Sequence, residues 1–141
     1  MGRIVVGVDG SPESEAALHW ALRQAASTDS AVHAIMSWNE HPLLAGVSET
    51  LGGGVPLELV QQQAEGLLNT TIAAATPDGN TVTITKETAS GPPSDLLVDA
   101  SVEAELVVVG RHAKSGLVQL GSVSAYVARH ASCPVVVVPG R

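Results

Sequence analysis

The residues best suited to chemistry lie in one stretch, Val107 to Ser124, which reads VVVGRHAKSGLVQLGSVS. Gly110 closes an aliphatic run at a point where a side chain would hold off a ligand or another piece of backbone. Arg111, His112 and Lys114 follow, and they place positive charge in a chain whose formal net charge is −7. Gly121 and Ser122 then open a helical segment. The first N–H groups of a helix have no partner within it, and that end of the helix dipole is positive. Backbone and hydroxyl there form a natural anion site. An apolar strand, a basic loop and a helix N-terminus in succession point to the holding of a phosphate group at the C-terminal end of a strand.

Other chemistries find no support. No G-x-x-x-x-G-K-[ST] run is present, and the turn after the first strand reads Gly7-Val8-Asp9-Gly10 rather than G-x-G-x-x-G. No serine stands in a nucleophile elbow. The acidic pair and lysine of a receiver domain are missing. His130 and Cys133 make two candidate ligands, too few for a closed zinc site, so no metal is expected. His19 and His33 read as packing or surface residues, and His41 as solvated. The single Cys133 precludes an internal disulfide and fits a reducing compartment. Its place before Pro134 and a valine run reads as a buried, inert thiol. No residue stands out as a general base and no acidic pair is dedicated to Mg²⁺, so binding is expected, with at most a slow ATPase activity. The acidic balance argues against a nucleic-acid or anionic-membrane surface. No apolar run reaches the ~18–20 residues of a membrane span, and the chain enters a strand without a signal peptide. A cytoplasmic protein is expected.

The positioning elements follow from the hydrophobic pattern. The chain has 141 residues, 45% hydrophobic and 15% charged, with 2% aromatic and no Phe. That composition predicts a single domain over 1–141 with an aliphatic core. Residues 3–8 read as a buried strand, Ser11 as a cap, Pro12 as a first helical residue, and 12–27 as an amphipathic helix. A strand over 31–36 follows, then an irregular stretch over 37–55 of a length usually reserved for function. A helix from Pro56 carries a stripe of Leu57, Val60, Ala64, Leu67, Leu68, Ile72 and Ala75. Turn residues at 76–80 end it. The alternating segment 81–87 reads as a half-exposed edge strand. A helix opening at Pro93 or Ser94, the strand 106–109, a helix from Ser122 to His130 and a strand over 134–138 complete the chain.

Five strands alternating with four helices predict an α/β fold: an open, doubly wound, five-stranded parallel sheet of order 3-2-1-4-5, with helices on both faces. The switch point of such a sheet falls between strands 1 and 4, where ligands bind beyond the strand ends. Val8-Asp9-Gly10 should therefore face Gly110-Arg111 across a crevice. Val135 to Val138 is apolar on both faces yet lies at an edge, which invites pairing with a second copy and predicts a homodimer.

Five segments carry a resemblance: IVVGVDGSPES at Ile4–Ser14, ALHWALRQA at Ala17–Ala25, VVVGR at Val107–Arg111, GSVS at Gly121–Ser124 and HASCPVVVV at His130–Val138. On these the chain resembles the universal stress protein family over its whole length. The resemblance implies the adenine nucleotide alpha hydrolase-like fold, a dimer through the last strand, and ATP, with or without Mg²⁺, as the ligand of many members. Those members carry Gly, two residues, Gly, nine residues, then Gly-Ser or Gly-Thr. Gly110 matches the first position, Gly121 and Ser122 match the last pair, and Gly116 aligns with a common glycine. Ala113 stands at the second glycine, and seven residues separate it from Gly121. Alanine at a position of positive φ costs on the order of 1 kcal/mol, or about five- to tenfold in affinity. The loop is two residues shorter than the motif, and this departure bears on the reach of Gly121 toward a bound phosphate chain.

By the same resemblance, Gly7 and Val8 help form the adenine wall, and Asp9 lies beside adenine or ribose. Val32 gives a backbone contact to adenine. Gly110, Arg111 and His112 run along ribose and phosphates, and Gly121, Ser122, Val123 and Ser124 hold the phosphates. The expected function is a small cytoplasmic ATP-binding stress or regulatory protein acting as a homodimer. The alternative is a nucleotide-free interaction module of the same fold.

Overall fold

The computed structural model describes residues 2–38, 57–111 and 122–140. Residues 39–56, which hold most of the irregular stretch expected over 37–55 and the expected helix start at Pro56, lie outside them, as do 112–121. Short runs of β-branched and small residues form five strands: β1 (Arg3–Gly7), β2 (Ala31–Ser37), β3 (Ile84–Ala89), β4 (Leu106–Arg111) and β5 (Val135–Pro139). They make one parallel sheet of order β3-β2-β1-β4-β5, as the sequence led us to expect. Val5 pairs with His33 on one side and Val107 on the other.

Strand side chains alternate between faces, so an all-apolar strand feeds two cores. Ile4, Val6 and Val8 pack with Val32, Ala34, Met36 and Val108 under α1 (Pro12–Thr28) and α2 (Leu57–Ala75). Val5, Ile35, Val107 and Val109 pack on the opposite face with Leu97 of α3 (Pro93–Ser101) and Val127 of α4 (Ser122–His130). The outer strand β5 is divided in the same way, Val136 and Val138 toward the first cluster and Val135 and Val137 toward the second.

Helix α1 begins as its sequence dictates. The Ser11 hydroxyl accepts the Ser14 N–H at 3.1 Å and Pro12 takes the first helical position. Ala17, Leu18, Ala21, Leu22 and Ala25 bury one stripe. In α2 the expected stripe holds at Ala64, Leu68 and Ala75, but Leu57 is 64% exposed. Thr71 is buried instead, its hydroxyl donating to the Leu67 carbonyl at 2.9 Å.

Two further expectations change. Strand β3 starts at Ile84 rather than at 81, because the Asn80 side chain clamps the chain locally. Its Nδ2 donates to the Val82 carbonyl at 3.0 Å and its Oδ1 accepts the Val82 N–H at 3.2 Å. The Cys133 thiol is half-buried rather than buried; desolvation pushes its pKa up, against a smaller lowering by a backbone hydrogen bond at Val107. His33, expected as a packing or surface residue, is buried and cross-links two strands, with Nδ1 at 2.6 Å from Thr85 Oγ1 and Nε2 at 3.0 Å from Glu87 Oε1. Among the described residues no helix is long and apolar enough to cross a membrane, and no group of three or more His, Cys, Asp or Glu could hold a metal.

Candidate functional site

Strands β1 and β4 lie side by side, but the chain leaves them toward opposite faces, into α1 after β1 and toward α4 after β4. The divergence opens a crevice at their C-terminal ends. A cavity of about 500 Å³, its open mouth included, occupies that place. Its wall is mostly apolar, with Val8, Ile35, Leu97 and Val109 among the lining residues and Val123 from the first turn of α4.

The turn after β1 is built from its own side chains. The Ser11 N–H donates to Asp9 Oδ1 at 2.9 Å, the Asp9 N–H donates to Ser14 Oγ at 3.3 Å, and Gly10 takes φ of 83°. That left-handed conformation explains a glycine after Asp9. Asp9 is therefore both a turn residue and a rim residue, its carboxylate exposed at the cavity.

The expected site residues Gly7, Val8, Asp9, Gly110, Val123 and Ser124 come together around this cavity. Two of them explain their residue type. A Cβ on Gly7 would stand 2.8 Å from Leu97 Cδ1, so glycine leaves Leu97 its place in the wall. A Cβ on Gly110 would stand 2.6 Å from the backbone carbon and oxygen of Glu13. Gly110 is thus required by the close approach of α1, beyond any room it leaves for a ligand. The Ser124 hydroxyl donates to the Gly110 carbonyl at 3.0 Å and ties α4 to the end of β4.

Three more described residues fall outside the wall. Ser122 is exposed at the start of α4, and Arg111 ends β4 beyond Gly110; neither lines the cavity. Val32 is fully buried near the start of β2, between Ile4 and Ile84, and its N–H donates to the Thr83 carbonyl at 2.9 Å. The crevice opens at the other end of that strand, where Ile35 and Ser37 line it. His112, Ala113, Gly116 and Gly121 lie outside the described residues.

Sequence reasoning missed Ser14, Ile35, Ser37, Pro93, Leu97 and Val109. For Ile35 a signal existed: in a parallel sheet of this order the end of β2 lies beside the end of β1, and Gly7 pairs with Ile35. Leu97 and Pro93 come from across the sheet, and no local pattern marks them.

A doubly wound parallel sheet with an apolar slot at its switch point defines a class of α/β proteins that take a ligand at the crest of the sheet. The chain belongs to one family of that class, the universal stress protein family, whose family model matches residues 1–139. A universal stress protein of Mycolicibacterium smegmatis is 35% identical over 97% of this chain and 48% of its own length. The chain spans about half the length of the mycobacterial relatives it matches, 48% and 44% for two of them. Among solved structures, a universal stress protein in complex with cAMP superposes with a TM-score of 0.63 at 26% identity, covering 99% of this chain and 98% of that one. The universal stress protein of Archaeoglobus fulgidus in complex with dAMP shares the fold, with a TM-score of 0.65 at 21% identity and 98% of each chain covered.

Proposed function

We propose that this chain binds ATP in the cleft between β1 and β4, with or without Mg²⁺, as a bound signal rather than a fast substrate. In this reading it acts as a small cytoplasmic regulatory protein in a stress response, and as a homodimer. The observation that carries the reading is the cleft itself. An apolar slot walled by Val8, Ile35, Leu97 and Val109 suits a planar base, and the first turn of α4 at its rim suits an anion. The cAMP and dAMP complexes of the two solved relatives support the class of ligand. The dimer is argued from β5, an edge strand of four consecutive valines.

A second reading, a nucleotide-free interaction module, is favoured by Ala113 and by the seven residues that separate it from Gly121, two fewer than the family's binding motif has. Calorimetric titration of the purified chain with ATP and Mg²⁺ decides between them. Binding with one nucleotide per chain is expected, and no heat at millimolar ATP would establish the second reading. Phosphate release followed over hours in the same sample separates a bound signal from a slow ATPase.

A further inference from the structure

Three serines line the cleft, and each has its hydroxyl proton engaged by the chain. A hydroxyl carries one proton and two acceptor sites. Ser14 donates to the Ser11 carbonyl at 3.0 Å, Ser37 to the Gly91 carbonyl at 2.5 Å, and Ser124 to the Gly110 carbonyl at 3.0 Å. A carbonyl oxygen only accepts, so the direction of each bond is fixed. The Asp9 carboxylate at the rim, when ionised, is an acceptor as well. Among the described residues, the side chains of the wall therefore present lone pairs to a bound molecule and no proton. Among the described lining residues, donors toward a ligand are backbone N–H groups.

Position then separates the serines. Ser14 already accepts the Asp9 N–H. Ser124 sits in the first turn of α4, where an anion belongs. Ser37 ends β2, which is separated from β4 by β1 in the sheet. Two strand spacings make roughly 10 Å, a span that a nucleoside monophosphate bridges with its phosphate toward α4 and its base toward β2. Ser37 is 8% exposed, with Ile35, Pro93 and Leu97 among its neighbours in the wall. Its bond partner is held too. Gly91 has φ of 116°, a conformation that favours glycine, and the Trp38 N–H donates to the Ala89 carbonyl at 3.2 Å just before it.

We infer that Ser37 is a specificity-determining residue, its proton-engaged hydroxyl favouring a purine with an amino group at position 6 over one with an oxo group there. The inference rests on the nucleotide reading of the cleft. In a mostly apolar slot an amino N–H facing the lone pair gains a hydrogen bond. A carbonyl in its place sets acceptor against acceptor.

The test is equilibrium binding of the full chain to AMP, to purine riboside 5′-monophosphate, which bears only hydrogen at position 6, and to IMP. The expected order is AMP, then the unsubstituted purine, then IMP, with AMP about tenfold or more tighter than IMP. Ser37→Ala brings the AMP to IMP ratio to within about threefold, and Ser37→Thr, which keeps the hydroxyl, restores it. Equal binding of AMP and IMP by the unaltered chain overturns the inference and leaves the nucleotide reading standing. So does an unchanged ratio in Ser37→Ala. Failure of all three nucleotides, and of ATP, to bind overturns both together.

Discussion

Replacing Gly110 by alanine tests whether the crest of the sheet is held together by the contact between β4 and the first turn of α1. The added Cβ would lie 2.6 Å from the Glu13 backbone carbon and oxygen and 2.9 Å from its Cβ. Non-bonded carbons settle at about 3.5–4.0 Å, so α1 must retreat by roughly 1 Å. Backbone cannot swing aside as a side-chain tip can. Overpacking of this kind costs about 1–3 kcal/mol. For 141 residues the entropy of unfolding is about 0.3 kcal/mol/K, so the melting temperature should fall by about 3–10 °C. The assay is thermal and urea unfolding of the ligand-free chain followed by far-ultraviolet circular dichroism. The urea midpoint should fall while its slope, which reports exposed surface, stays unchanged. A melting temperature within about 1 °C of the parent chain's would refute the argument, because it would mean that α1 does not press on Gly110.

Gly66, in α2, is the opposite case. A Cβ there meets nothing within 4 Å, so Gly66→Ala should stabilise the chain by about 0.5–1 kcal/mol, read as a higher urea midpoint. Burial raises the pKa of the Cys133 thiol, so its alkylation by iodoacetamide should reach half-maximal rate at higher pH than in the urea-unfolded chain. By linkage, stability should decline as pH rises past the thiol's ordinary value and be unaffected by this group below it; coincident folded and unfolded alkylation profiles would contradict this. The Val107 N–H donates to the Pro134 carbonyl, so by alternation Val136 faces β4 and the Val137 N–H faces outward. Val137→Pro should remove an outward donor, leave the sheet intact and convert a dimer into monomers in sedimentation, whereas a persistent dimer would place the interface elsewhere.

The order of the sheet was legible because its signals are local. Unbroken aliphatic runs at β1 and β4 demand cover on both faces, and the threonines and charges of 81–87 demand an edge. The start of β3 was not, because Thr81-Val82-Thr83 alternates like a strand while Asn80 holds Val82 through side-chain bonds that no periodicity records. The two strand ends of the crevice, at Gly7 to Asp9 and Gly110, were legible for the same reason as the sheet. Ser37 and Leu97 were not, since they reach the cleft through pairing and packing across the sheet. Val32 marks the limit of the resemblance. It named the right strand, but only the register set Ile35 rather than Val32 beside Gly7.

The two rims of the sheet differ in a way that bears on how large an assembly can grow. One ends in β5, four valines in succession; the other ends in β3, which carries Lys86 and Glu87 among threonines and a buried histidine bridge. A strand added at β5 finds an apolar, pairable neighbour, whereas one added at β3 must set its own side chains against fixed charges. Growth by strand addition is therefore favoured at one rim. In the proposed dimer, two copies that met there about a twofold axis would use up that rim, and the particle would terminate without a capping element.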